Sequence, residues 1–161
     1  MQIISQETVL TTWSRLNKLP EKEAAARFQQ FGEAQPGIIA YLLAVDEEFT
    51  PEEDRGDLLF LGLFIWETFR ASGHSPAMVM PEAIEAAEEA NTKFLTGLDE
   101  GSEHGMFDAV RQLMQSYHQM PLLGGLLEIL MSENAEEPEM AGDNVGVALL
   151  HLKTVIDTLD Q

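Results

Sequence analysis

The chain has 161 residues, 45% of them hydrophobic, and its 28 acidic and 9 basic side chains give a formal net charge of −19. This length fits one ordinary domain with a sizeable core. The absence of cysteine excludes disulfides, thiolate chemistry and zinc sites that need cysteine. The negative charge disfavours direct binding to nucleic acid and to anionic membranes.

The N-terminal residues predict no targeting segment, because residues 1–7 contain neither a basic region nor an apolar run of signal length. The longest apolar run extends from Leu58 to Trp66, well short of the roughly 20 residues that a membrane helix needs. We therefore expect a cytoplasmic protein that does not contact a membrane.

Apolar residues recur at intervals of three and four along the chain, a pattern that predicts helices and no strands. Thr50, Pro51 and Glu53 form the clearest helix start, with a capping threonine, a proline at the first helical position and a capping-box glutamate. Residues 72–80 and 133–142 are interpreted as open connections. In chain order, the predicted helices are 5–17, 21–34, 36–47, 51–71, 82–98, 103–118, 121–132 and 143–160.

An internal duplication is suggested by two similar stretches of sequence. Pro36 and Pro121 each begin an apolar segment, and each segment leads through an acidic stretch to a Gly-Asp pair and a long apolar run. With an offset of 86 over residues 47–69, six of 23 positions are identical. Shared helical periodicity alone would produce part of this match.

The predicted fold class is all-α, a single domain over residues 1–161 with about eight helices. If the duplication is real, the domain consists of two related four-helix halves, residues 1–75 and 80–161. The helices over 51–71 and 143–160 would then be the two central apolar helices, because an element that is apolar nearly all round must be surrounded.

Motifs for nucleophilic catalysis and for phosphate binding are missing from the sequence. We therefore predict no catalytic residue, no cofactor and no metal. A weaker pattern is that His104 and Asp108 share a helix face, with Glu100 one turn earlier and Glu103 directly before His104. These residues could bind a divalent cation, but a helix N-terminus enriched in acidic residues is the simpler interpretation.

A possible pocket is predicted at the end of the 51–71 helix, lined by Trp66, Glu67, Arg70 and His74. Glu67 and Arg70 are spaced as an i, i+3 ion pair, and His74 lies in the connection that follows. The alternative is an ordinary solvated helix terminus. His151, in the last helix, is interpreted as a partly buried structural histidine.

A possible interaction surface is predicted on the 121–132 helix, which is apolar on more than one face. Methionine and leucine are common at adaptable binding surfaces, although core packing would explain the same residues. This surface, or the apolar stripe of the last helix, is the predicted homodimer contact. Its residues are Met120, Leu122, Leu123, Leu126 and Leu127.

Three functions are compatible with these features. The favoured one is a small acidic protein that acts through protein–protein interaction, with a protein partner of unknown identity and no catalysis of its own. The second is a helical ligand-binding protein or enzyme with a pocket between the halves, and the third is an acidic nucleic-acid mimic. An exposed apolar patch on the 121–132 helix favours the first function, and a cavity with convergent polar groups near Trp66 and Arg70 favours the second.

Overall fold

The computed structural model describes residues 2–45, 52–99, 113–133 and 138–161, and this part of the chain is helical with no strand. The prediction of an all-α fold is confirmed. Residues 113–116 are helical, and no helix within the described ranges has the length and apolar content needed to cross a membrane. The helices with defined ends are α1 (Gln6–Asn17), α2 (Glu21–Ala34), α3 (Pro36–Leu43), α4 (Glu52–Ala71), α5 (Pro81–Asp99), α6 (Met120–Glu133) and α7 (Pro138–Leu159).

Local sequence signals account for several helix ends. The Ser5 side chain caps α1 by accepting a hydrogen bond from the Thr8 backbone N–H at 3.1 Å. Pro36 occupies the first turn of α3 and cannot donate a backbone hydrogen bond, so α2 ends just before it. Gly73 ends α4 with a φ of 89°, a conformation that glycine adopts without steric cost.

Two predicted boundaries differ from the structure. The last helix begins at Pro138, so the interpretation of 133–142 as an open connection is wrong from residue 138 onward. Proline suits a first helical position because its missing N–H would have no intrahelical partner there. The third helix ends at Leu43, four residues earlier than predicted. Most of the predicted 103–118 helix lies outside the described residues.

The core is organised around α4, in which every residue from 61 to 69 is buried. This helix packs against α1, α2, α3 and α7, while α7 also packs against α5 and α6. A helix with neighbours on all sides needs apolar side chains around its whole circumference. The continuous apolar run that begins at Leu58 meets this requirement.

Two buried glutamines hold non-helical segments with the same hydrogen-bond pattern. The Gln35 side chain donates to the Ala77 carbonyl and accepts from the Val79 N–H, both at 2.8 Å. The Gln119 side chain donates to the Gln2 carbonyl at 3.1 Å and accepts from the Ile4 N–H at 3.0 Å. Each amide therefore satisfies two backbone groups that lie two residues apart. The internal duplication stays a prediction.

Candidate functional site: the arginine cleft

Glu67 is a carboxylate inside the core, with a side chain that is only 3% exposed. Burial of an unpaired carboxylate is costly, so the surrounding helices must supply compensating charge. Arg15 of α1 places Nη2 3.1 Å from Glu67 Oε2, and Arg70 of α4 places Nη1 3.0 Å from Oε1. Arg27 of α2 places Nη1 3.6 Å from Oε1. Three helices thus bring a guanidinium to one carboxylate.

Trp66 fixes the position of one of these guanidiniums. Arg70 Cζ lies 4.5 Å from the centre of the indole ring, within the range of a cation–π interaction. Trp66 itself is buried and packs against the Phe31 ring at a centroid distance of 5.4 Å. The indole therefore links the hydrophobic core to the charged cluster.

The three arginines and Glu67 lie at an open cleft of about 510 Å³, here called the arginine cleft. Thr12 contributes a hydroxyl that is buried at the cleft and has no hydrogen-bond partner within the described part of the chain. Buried polar groups without a protein partner generally bond to water or to a ligand. The cleft is lined by Glu7, Thr8, Thr11, Thr12, Arg15, Arg27, Glu67, Arg70 and Ala71.

The charge of this cleft is opposite to the charge of the chain. Three guanidiniums and the Glu67 carboxylate leave a net charge of +2, and Glu7 lowers it to +1. The chain as a whole carries −19, and three of its nine basic side chains are gathered at this one place. The cleft is therefore an electropositive site on an acidic protein.

The arginines also hold more hydrogen-bond donors than Glu67 can accept. A guanidinium has about five N–H groups, whereas a carboxylate has about four acceptor positions. Their side chains are 35–41% exposed, so the remaining N–H groups have access to solvent. The arrangement can therefore bond to an additional anion without breaking the contacts to Glu67.

The predicted pocket residues are only partly brought together. Glu67 and Arg70 line the cleft, and Trp66 supports it from the core. His74 lies apart from the cleft, where its ring contacts Phe69 and its Nδ1 bonds to the Ser72 hydroxyl.

Arg15 and Arg27 were not among the predicted site residues, because they come from helices distant in sequence. No local spacing connects them to Glu67. The one available signal was the scarcity of basic residues in this acidic chain.

The predicted interaction surface is mostly occupied by the protein's own core. Leu122, Leu123 and Leu126 are at most 4% exposed, while Met120 and Leu127 are half-buried. The apolar surplus of this helix therefore packs largely within the domain.

The possible metal ligands near His104 lie outside the described residues. Within the described ranges, no three His, Asp or Glu side chains are grouped to hold a metal.

His151 is partly buried, as predicted, and belongs to a second polar cluster. Its Nδ1 lies 2.6 Å from the Tyr41 hydroxyl and 3.9 Å from Glu88 Oε1. Burial lowers the pKa of His151, although the nearby Glu88 carboxylate opposes this shift. Burial also raises the pKa of Tyr41, so its hydroxyl stays protonated as a hydrogen-bond donor. The folded protein therefore favours a neutral imidazole at this position.

We expect a pH-dependent loss of stability from His151. Because its pKa is lower in the folded state, the unfolded chain binds the proton first as the pH falls below about 6.5. The contribution of this group is therefore complete above that pH and decreases below it, down to the folded-state pKa. Urea unfolding near pH 7.5 and near pH 5.5 should show a smaller difference in His151→Gln than in the parent. Equal differences would contradict this expectation.

A third polar cluster differs from the arginine cleft because its cation already has partners within the protein. Lys153 Nζ bonds to Asn91 Oδ1 at 2.7 Å and to Asp157 Oδ2 at 2.8 Å. The Tyr117 hydroxyl donates to the other Asp157 oxygen at 2.6 Å, and the Lys153 ammonium lies 4.6 Å from the Tyr117 ring centre. This cluster connects α5, α7 and the segment before α6. The Lys153 cation is already held by an anion, an amide and a ring, so the cluster has the features of a structural link.

Comparison of the chain with protein-family models, curated proteins and solved structures found no match. The function of the chain therefore has to be inferred from the geometry of the arginine cleft itself.

Proposed function

We propose that this chain is a binding protein without catalysis of its own, and that it recognises an anionic group of a protein partner in the arginine cleft. The observation that carries the proposal is the convergence of Arg15, Arg27 and Arg70 on buried Glu67 at an open cleft. Guanidinium groups suit this role because their planar forks match carboxylate and phosphate oxygens.

Structural stability alone is a weak explanation for this cluster. Buried ion pairs often contribute little compared with apolar side chains of similar volume, because removing charge from water is costly. One arginine would neutralise Glu67, whereas the protein places three beside it. With the offset of 86, Glu67 aligns with Lys153, so the corresponding position of the second half has no carboxylate. The three arginines exceed what neutralisation of Glu67 requires, and a related half would fold without a carboxylate at this position. Both points support a role in binding.

The two related halves remain part of the proposal. The matching hydrogen bonds of Gln35 and Gln119 support them, since each glutamine precedes an apolar helix and holds a non-helical segment. Thr68 and Thr154, which are paired by the same offset, each donate to the carbonyl four residues earlier. In this proposal the halves supply a common scaffold, and the arginine cleft is a feature of the first half.

A protein partner fits the cleft better than a small metabolite. Small-molecule sites usually enclose 70–90% of the ligand and have mainly apolar walls. The arginine cleft is open, and threonines and charged side chains line most of it. A carboxylate or phosphate group that projects from a larger surface could enter it. A second copy of this chain is one such partner, since the chain carries 28 acidic side chains.

The test is a titration with inorganic phosphate and, separately, with glutamate, followed by amide NMR spectra of the labelled full chain at constant ionic strength. Both probes should perturb the amides around Arg15 and Arg70, and the Arg70→Gln variant should bind at least about fivefold more weakly. Lys93→Gln is the matched control, because it removes one positive charge from an exposed pair with Glu89.

Equal weakening in both variants would indicate nonspecific attraction and would refute the proposal. Perturbations spread over the whole surface, or no response to either anion, would refute it as well. A response to phosphate but not to glutamate would identify a phosphorylated group as the preferred anion.

A further inference from the structure

An apolar groove of about 300 Å³ lies between α1 and α6, on the side of α1 opposite to the arginine cleft. Its walls include Leu10 and Trp13 of α1 and Ile129 of α6. A Cβ atom built on Gly125 would lie 2.9 Å from Val9 Cγ1, so glycine allows α6 to approach α1 closely at the groove floor. Leu10 is 55% exposed, which gives the rim an accessible apolar side chain.

A third region adjoins both the groove and the arginine cleft on the solvent-facing side of α1. A shallow depression of about 420 Å³ runs along this side, lined by Leu10, Thr11, Ser14, Arg15 and Lys18. It shares Thr11 and Arg15 with the arginine cleft and Leu10 with the groove. The three regions therefore lie side by side around α1, and together they are here called the α1 strip.

We infer that the α1 strip binds an extended protein segment that carries an acidic residue and a large apolar residue. This inference rests on the proposed function and adds the chemistry of the partner. The acidic side chain enters the arginine cleft, the backbone crosses α1, and the apolar side chain enters the groove beside Trp13.

The distribution of charge along the strip determines which residue of the segment lies in the arginine cleft and which lies in the groove. Arg15 and Lys18 make the cleft side and the middle of the strip attractive to an acidic side chain. Glu128 lies on the groove side, where it repels a second carboxylate and leaves an apolar residue as the better fit. A segment bound the other way round, with its acidic residue in the groove, would lose the attraction of the arginine cleft for that residue and the apolar contact in the groove.

The width of the helix sets the spacing between the two residues. A helix with its side chains is about 10–12 Å across, and an extended chain advances about 3.3 Å per residue. A segment that crosses α1 therefore places its acidic and apolar residues about three or four positions apart. Specificity follows from this spacing, because either anchor alone occupies only one end of the strip.

The experiment is selection of a random twelve-residue peptide library, displayed on phage, against the immobilised full chain. We expect enriched peptides to contain an acidic and a large apolar residue about three or four positions apart. Synthetic versions of the enriched peptides should bind about tenfold more weakly to the Leu10→Asp and Thr11→Glu variants than to the parent. Leu10→Asp removes the apolar contact at the groove, and Thr11→Glu repels the acidic residue at the arginine cleft. Both substitutions are at exposed positions, so neither disrupts the core.

Met78→Asp is the matched control for Leu10→Asp, because both side chains are 55% exposed and Met78, in the connection before α5, is not among the residues that line the strip. It should leave the affinity unchanged. Enriched peptides that contain acidic residues and are insensitive to Leu10→Asp would overturn the strip while leaving the arginine cleft intact. Peptides insensitive to Arg15→Gln as well would overturn the proposed function too. No enrichment would overturn the strip, whereas the phosphate and glutamate titration tests the cleft independently.

Discussion

Replacing Trp66 by alanine should lower the free energy of unfolding by about 3–5 kcal/mol, the range typical of large buried aromatic residues. The indole is 5% exposed and packs against the Phe31 ring, so its removal leaves a cavity that the surrounding helices fill only partly. The same change removes the surface on which the Arg70 guanidinium lies. We therefore expect losses both in core packing and in the order of the arginine cleft. Urea unfolding at neutral pH measures the first effect.

Trp66→Phe is the control that separates the two effects. Phenylalanine retains much of the buried area and a ring face for Arg70, so the loss should fall below about 2 kcal/mol. Replacement of Trp13, which is half-buried at the surface of α1, should cost less than replacement of Trp66. A Trp66→Ala variant within about 1 kcal/mol of the parent would show that the α4 core is not organised around this residue.

The burial of Trp66 was predictable because the signal for it is local. Nine consecutive buried residues need apolar side chains in a nearly unbroken run, and the amino-acid sequence displays such a run directly. Helix ends at Pro36 and Gly73 were predictable for the same reason, since their backbone restrictions act within one or two residues. These signals were sufficient for the fold class and for most helix boundaries.

The arginine cleft was not predictable in the same way, because it depends on which helices meet. Glu67 and Arg70 are three residues apart and were paired from sequence, but Arg27 is 40 positions from Glu67 and Arg15 is 52. Their convergence follows from the packing of α1 and α2 on α4. Periodicity shows which face of a helix is apolar, but it does not identify the neighbour that the face contacts.

For a related reason, the sequence of residues 121–132 left both a core and a surface interpretation open. A helix that is apolar on several faces is expected either in a core or at an interface, and only the positions of its neighbours distinguish the two. In the structure α6 packs against both α1 and α7, and these contacts bury Leu122, Leu123 and Leu126. Part of the apolar surface that is left, at Ile129, lies at the groove beside Trp13, whereas the exposed Met131 lies outside the groove.

Replacing Glu67 by glutamine should lower the free energy of unfolding by about 2–4 kcal/mol, somewhat below the range for breaking a fully buried pair. The change keeps the size of the side chain but leaves three guanidiniums around a neutral amide. Their mutual repulsion is then uncompensated, although their exposure to solvent of 35–41% moderates it. Glu89→Gln is the matched control, because Glu89 pairs with Lys93 on an exposed surface and its replacement should leave the stability nearly unchanged.

The same variant also tests the capacity of the cleft for anions, because a bound anion can replace the missing carboxylate. Phosphate should raise the melting temperature of Glu67→Gln more than that of the parent when chloride keeps the ionic strength equal. This follows because a ligand that binds only the folded state stabilises it more as its affinity increases, and the variant cleft carries one more positive charge. An equal response of both proteins to phosphate would show that the three arginines do not act as an anion site. A decrease in the free energy of unfolding of Glu67→Gln no larger than that of Glu89→Gln would show that Glu67 does not hold the three arginines together.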